Sequence, residues 1–157
     1  MPRQDVVYRE LLSYVQTQLA ADSPSVTADY VYLVAEPVFR VHDDRLVQIV
    51  PGVPTVLHPM TGGAYVQEEI RVACWRRLWT DYAAASNDLI SDNTESLLAI
   101  VSNVRDAMSG AVNADLPGLL ALPKLIRGST VTTSADHPGW AYVADTLRIE
   151  YDLGWRH

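Results

Sequence analysis

The sequence predicts an α+β fold, a mainly antiparallel sheet of about five strands with two helices packed on one face. Three observations carry it. One amphipathic helical stripe opens the chain and a second falls near residues 93–108. The segments between and after them alternate with period two and are rich in Val and Tyr. No helix separates the early strands, as a parallel βαβ arrangement would require. The 157 residues suit a single domain spanning 1–157, large enough for a proper core. No internal repeat, low-complexity tract or linker divides it.

The first helix is expected over about 5–20. Val7, Leu11, Val15 and Leu19 recur every four residues, and Tyr8 and Leu12 widen the stripe. Asp5 suits an N-cap, and Pro24 in the segment 21–25 stops the helix. "DYVYLVAEPVFRV" then predicts a strand, with Pro37 marking an edge, bulge or end. "HDDR" at 42–45 has turn chemistry, so "LVQIVPG" is expected to close a hairpin. Residues 51–67 hold three prolines and three glycines, which predicts a long loop of the kind that is usually functional or disordered.

"EEIRVACWRRLWTDY" is the third strand. Ile70, Val72, Cys74 and Leu78 share one face with Arg76, while Glu69, Arg71, Ala73, Trp75, Arg77 and Trp79 share the other. Asp92 with Glu95 forms a capping box for the second helix, whose buried stripe is Leu97, Ile100, Val101, Val104 and Met108, with Gly110 as C′ residue. "ADLPGLLALPK" is expected to be an irregular apolar connector and "LIRGSTVTTS" a short strand. The longest strand is "WAYVADTLRIEYDLGW", with Val143, Leu147, Ile149, Tyr151 and Leu153 opposite Tyr142, Thr146, Arg148, Glu150 and Asp152.

Composition narrows the function classes. A net charge of −7 gives no overall attraction to phosphate backbones, although the arginines from Arg71 to Arg105 with Lys124 and Arg127 leave room for a local patch. No apolar run reaches the roughly 18 residues of a membrane span. "MPRQDVVYRE" lacks a signal-peptide layout, and the lone Cys74 excludes an internal disulfide, so the expectation is a protein made and kept in a cytoplasm, without a membrane partner.

No catalytic or metal-binding constellation emerges, and no cofactor is implied. His42, His58, His137 and His157 show no zinc-ligand spacing. There is no GxSxG elbow, and Ser134, Asp136 and His137 are best explained as a capped turn. "MTGGAY" lacks the pattern of a phosphate cradle. Glu68 and Glu69 alternate to opposite faces, and Asp43–Asp44 fall in a turn, so neither makes an acid/base couple. Cys74 on the aliphatic face is a buried, inert thiol.

What stands out is aromatic surface. Trp75, Trp79, Trp140 and Tyr142 fall opposite the aliphatic rows, among Arg71, Arg77 and Arg148, and these are residue types enriched at interface anchors. Two readings stand side by side. Either Arg71, Trp75, Arg77 and Trp79 form a subunit interface, or a second internal layer, such as the connector 111–123, covers the tryptophans.

Taken together, "VYRELLSYVQTQLA", "LVQIVPGVP", "EEIRVACWRRLWTDY", "NTESLLAIVSNVRDAM" and "GWAYVADTLRIEYDLGW" resemble the tail terminator proteins of long-tailed bacteriophages, over nearly the whole chain as a pattern rather than through one motif. The resemblance implies a non-enzymatic structural protein of the virion, assembled in the host cytoplasm as a hexameric ring. Such a ring caps the tail tube, stops its polymerisation and joins it to the head connector. Its implied partners are other copies of itself, the tail tube protein and the connector or stopper protein, with DNA only as cargo passing through the lumen. Within that picture the loop residues His58, Pro59, Met60, Thr61, Gly62, Gly63, Ala64 and Tyr65 are expected to dock on a neighbouring ring and to be mobile until they do. A head–tail stopper protein, or a small ligand-binding or enzymatic domain with a scattered site, are the alternatives.

Overall fold

The structure, a computed structural model, describes residues 4–22, 30–40, 43–78, 89, 96–111 and 116–154. Its elements are α1 (Gln4–Asp22), β1 (Val31–Leu33), β2 (Arg45–Val50), β3 (Thr55–Met60), β4 (Gly63–Arg77), α2 (Leu97–Ser109), β5 (Ala121–Gly128), β6 (Thr132–Thr133) and β7 (Trp140–Gly154). The strand order is β1-β2-β4-β7-β5, with β3 also beside β4 and β6 beside β7. Because β7 occupies one side of β4 along its whole length, β2 and β3 share the other side in succession. By the same logic β5 and β6 share the outer side of β7. Seven strands thus stand in five columns, and every pairing but β1–β2 is antiparallel.

One face of this sheet carries both helices. Val7, Tyr8, Leu11, Tyr14, Val15 and Leu19 of α1 meet Leu97, Ile100, Val101, Val104 and Met108 of α2 over Val47, Ile49, Ile70, Val72, Cys74, Val143, Leu147, Ile149 and Tyr151. The period of 3.6 in the helices and of 2 in the strands therefore converge on one core. The Tyr14 hydroxyl donates to the Ala107 carbonyl at 2.5 Å and ties the helices together. α1 starts at Gln4, so Asp5 lies in its first turn, paired with Arg9, rather than at the N-cap. Ser96 precedes α2 in extended conformation, and the expected capping box at Asp92 and Glu95 lies outside the described residues.

Two expectations about the early strands need correction. β1 pairs with β2 in parallel, Val31 opposite Val47, so the two strands do not form a hairpin. A parallel neighbour requires the chain to travel back along the sheet before it re-enters, and residues 34–40 lie over the face opposite the helices. The long loop expected over 51–67 is instead largely ordered into β3, a two-residue turn at Thr61–Gly62, and the start of β4. Gly62 takes φ 77°, a conformation that favours glycine. The prolines are compatible with this because β3 is an edge strand, where Pro59 forfeits no required ladder bond. Alternation is missing because the described side chains from Thr55 to Pro59 are all exposed, leaving no buried face to impose it.

β2 and β3 behave as one interrupted strand. The break passes over Glu69, where a Cβ on Gly52 would lie 2.1 Å from the Glu69 carbonyl oxygen, so only glycine fits there. The Gly52 amide donates to Glu68 Oε2 at 3.3 Å and to the Tyr8 hydroxyl at 3.1 Å. Glu68 Oε1 accepts from the Tyr151 hydroxyl at 2.9 Å and from Gln4 Nε2 at 3.0 Å. This buried carboxylate anchors the helix N-terminus, the break and two strands to one another. Burial raises its pKa above the ordinary value, and these hydrogen bonds oppose the shift without cancelling it.

Candidate functional site

The face of the sheet away from the helices holds Arg71, Trp75 and Arg77 of the residues singled out as an interface, and the structure divides them. Trp75 is only 5% exposed and Trp140 7%. With Leu46 and Ala73 they form a second, smaller core, against which Phe39, Tyr142 and Ala144 pack. Phe39 stacks on Trp140 with centroids 3.8 Å apart and meets Trp75 edge-on at 5.5 Å. Trp75 Nε1 donates to Gln48 Oε1 at 3.0 Å, and Gln48 Nε2 in turn donates to the carbonyls of Val34 and Ala35 at 3.2 Å. The covering layer is therefore residues 34–40, brought back over the face by the parallel crossover. The described connector residues Ala111, Leu116 and Leu119 join the helix-side core instead.

Trp75 is thus an interior residue of the subunit, and the expectation that it anchors a neighbour is corrected. Most of the 150–250 Å² that a tryptophan buries is spent within the chain. Arg71 and Arg77 remain exposed, and Trp79 lies outside the described residues. The signal that could have found the covering layer is Phe39, the chain's single phenylalanine, two residues after Pro37 in a segment with no strand alternation.

The predicted docking residues come together as the tip of a hairpin. His58, Pro59 and Met60 end β3, Thr61 and Gly62 make the turn, and Gly63, Ala64 and Tyr65 begin β4. His58, Pro59, Thr61 and Gly62 are exposed, whereas Gly63 and Ala64 are buried. Val53 before β3 and Val56 and Leu57 within it are exposed apolar residues. On the opposite edge of the sheet, Leu122, Leu125 and Ile126 of β5 are exposed in the same way. Sequence reasoning missed both groups, because an exposed edge residue carries no periodic mark.

Between the aromatic end and the hairpin tip the outward face is charged. Arg71, Thr146 and Arg127 occupy one cross-strand row, and Glu69, Arg148 and Lys124 the next. Arg148 reaches Glu69 at 3.3 Å, an exposed pair of small energetic value. Further along, Glu150 accepts from the Tyr65 hydroxyl at 2.7 Å and Gln67 Nε2 at 3.1 Å, and these bonds hold its carboxyl below the usual glutamate range. Tyr65 is pushed up by the same contact. At the other end of β4, burial would raise the Asp44 carboxyl, but the hydrogen bond from Arg45 and the charges of Arg45 and Arg76 bring it below its ordinary value.

Cys74 is buried and its thiol is pushed up by burial, reinforced by Asp145, so it is held in the unreactive protonated form. The Ser134 hydroxyl accepts from the His137 amide at 3.1 Å, the geometry of a capped turn. Asp145 is bound by Arg105 through two bonds of 2.8 Å, a pairing of sheet to α2. No group of His, Cys, Asp and Glu suited to a metal ion occurs among the described residues, and none of the described helices is long and apolar enough to cross a membrane. A hollow of about 150 Å³ lined by Glu36, Arg71, Asp136, His137 and Tyr142 is smaller than the ~300–1,000 Å³ of ordinary ligand sites.

No protein-family model and no curated protein sequence matches the chain. Among solved structures, it is similar to a chain in the virion of a native gene transfer agent (GTA) particle. The two share 18% identity and a TM-score of 0.54 over 93% of this chain and 97% of that one. At that identity the likeness is one of fold, and it spans essentially the whole of both chains.

Proposed function

We propose that the protein is a non-enzymatic structural subunit of a phage-like particle, and more narrowly a tail terminator. In this reading copies assemble as a hexameric ring on the last ring of the tail tube, stop its growth and present a platform to the head connector, with DNA passing through the lumen. The observation that carries the reading is the full-length fold likeness to a chain of a gene transfer agent virion. Two features of the chain support it. Edge strands β3 and β5 expose Val56, Leu57, Leu122, Leu125 and Ile126, where an assembling subunit can bury them. The hairpin tip at 58–65 stands as the element that meets the tube or the adjoining ring, and Arg71, Arg77 and Trp79 as residues of the seam between copies.

The experiment is removal of the protein from an assembling particle, followed by electron microscopy. A terminator leaves tubes of uncontrolled length. Tubes of normal length that fail to join heads would identify a stopper instead, and normal joined particles would remove the protein from the neck altogether.

A further inference from the structure

Among the described residues, two central rows of the outward face carry more basic than acidic side chains. Cross-strand register sets Lys124 directly opposite Arg148, a like-charged pair that destabilises a sheet when left alone. With Arg71 and Arg127 in the adjacent row, the patch holds four of the chain's 12 basic residues, and among the described residues its one acidic member is Glu69, paired with Arg148. Arg71, Lys124 and Arg127 are exposed, and Leu122 and Ile126 are exposed along the same edge, whereas Leu125, opposite Leu147, is turned to the helix side. One row further on, the sign reverses: Glu150 and then Asp152 face outward, Glu150 held ionised by Tyr65 and Gln67. That end adjoins the hairpin, whose β3 edge exposes Leu57 and, on the helix side opposite Val66, Val56.

We propose that the cationic rows and β5 edge of one copy dock, head to tail, on the anionic rows and β3 edge of the next. The partner is a second copy because both halves of the match are present on this chain. Each charged patch is bordered by an exposed apolar edge, and the two patches have opposite sign. A closed ring requires two different complementary surfaces of this kind, whereas a two-fold dimer requires only one. The apolar edges supply burial, and the charges select register and the head-to-tail sense. This inference rests on the ring reading above and names its seam.

Light scattering tests it, alone and with isolated tail tubes, on the wild-type chain, on Lys124→Glu/Arg127→Glu and on Glu150→Lys/Asp152→Lys. Lys124 and Arg127 are exposed and Glu150 and Asp152 half-exposed, and a matching thermal melt establishes that each variant is folded. Each variant by itself is expected to lose the assembled species. An equimolar mixture is expected to recover it, because in an alternating ring every reversed patch meets a reversed partner and every native patch a native one. Variants that assemble like the wild type, or a mixture that stays monomeric, overturn the seam while leaving the ring intact. A wild-type chain that stays monomeric even on tubes overturns the ring reading and the seam together. A wild type that binds a short DNA duplex in a salt-dependent way, with binding lost in Lys124→Glu/Arg127→Glu, assigns the patch to phosphate instead and overturns the second copy as its partner.

Discussion

The two faces of β4 follow the same alternation, yet only one of them is uniform. Toward the helices Val66, Ile70, Val72 and Cys74 are all buried in one core. Away from the helices the strand changes character along its length. Trp75 and Ala73 are sealed under residues 34–40, Arg71 and Glu69 stand in solvent, and Tyr65 and Gln67 bind Glu150. The difference lies in what covers each stretch. Helices are long enough to cover a face evenly, while a short irregular crossover covers only the part it passes over. An outward-pointing side chain is therefore core, charged surface or contact according to a segment remote in sequence.

The largest effect expected to probe this contrast is in the helix-side core. Val104→Asp places an unpaired charge among Leu11-type aliphatics, costing several kcal/mol against a typical stability of about 5–15 kcal/mol. Loss of a cooperative melt is the expected result, and a stable, soluble variant would show that α2 does not pack there. Next comes the second core. Trp75→Ala is expected to destabilise the subunit by about 3–5 kcal/mol, measured by urea titration, since it opens a cavity and strands Gln48. If that variant keeps its stability and loses only assembly, the small core is not one.

Glu68 gives a smaller effect with a pH signature. Its pKa is raised in the folded state, so the stability it contributes is fully present below the ordinary value of 4.5 and is lost as pH rises through the folded value. Glu68→Gln removes that dependence. The urea midpoint of the wild type is expected to fall relative to that of Glu68→Gln between mildly acidic and neutral pH, and parallel profiles would show that the carboxylate is not penalised by its burial. The smallest change in stability belongs to the exposed rows. Arg71→Glu is expected to shift the unfolding free energy by no more than about 0.5 kcal/mol while weakening association of copies. A large shift in the melt would place Arg71 in the fold rather than at its surface.

Deleting residues 60–64 is not the neutral loop excision that a structureless segment would permit. Ala64 is fully buried in the helix-side core, so the deletion removes core as well as the tip. Val56→Asp and Leu57→Asp change the free edge of the hairpin and spare that core, which makes them the cleaner probes of docking.

By itself the sequence determined the α+β class, the two helices on one face, the long strand β7 and the inward residues of β4. Each of these follows from a repeat that burial on one side imposes on consecutive residues. It also set Glu68 and Glu69 on opposite faces and left Cys74 inert. Only the tertiary structure decided that β1 lies parallel to β2, that residues 34–40 bury Trp75 and Trp140, and that 55–65 is a hairpin rather than a loop. Those outcomes depend on contacts between distant segments: Phe39 with Trp140, Gln48 with Val34, Gly52 with Glu69. A local period records which side of an element is apolar, but not which remote segment will come to lie on it.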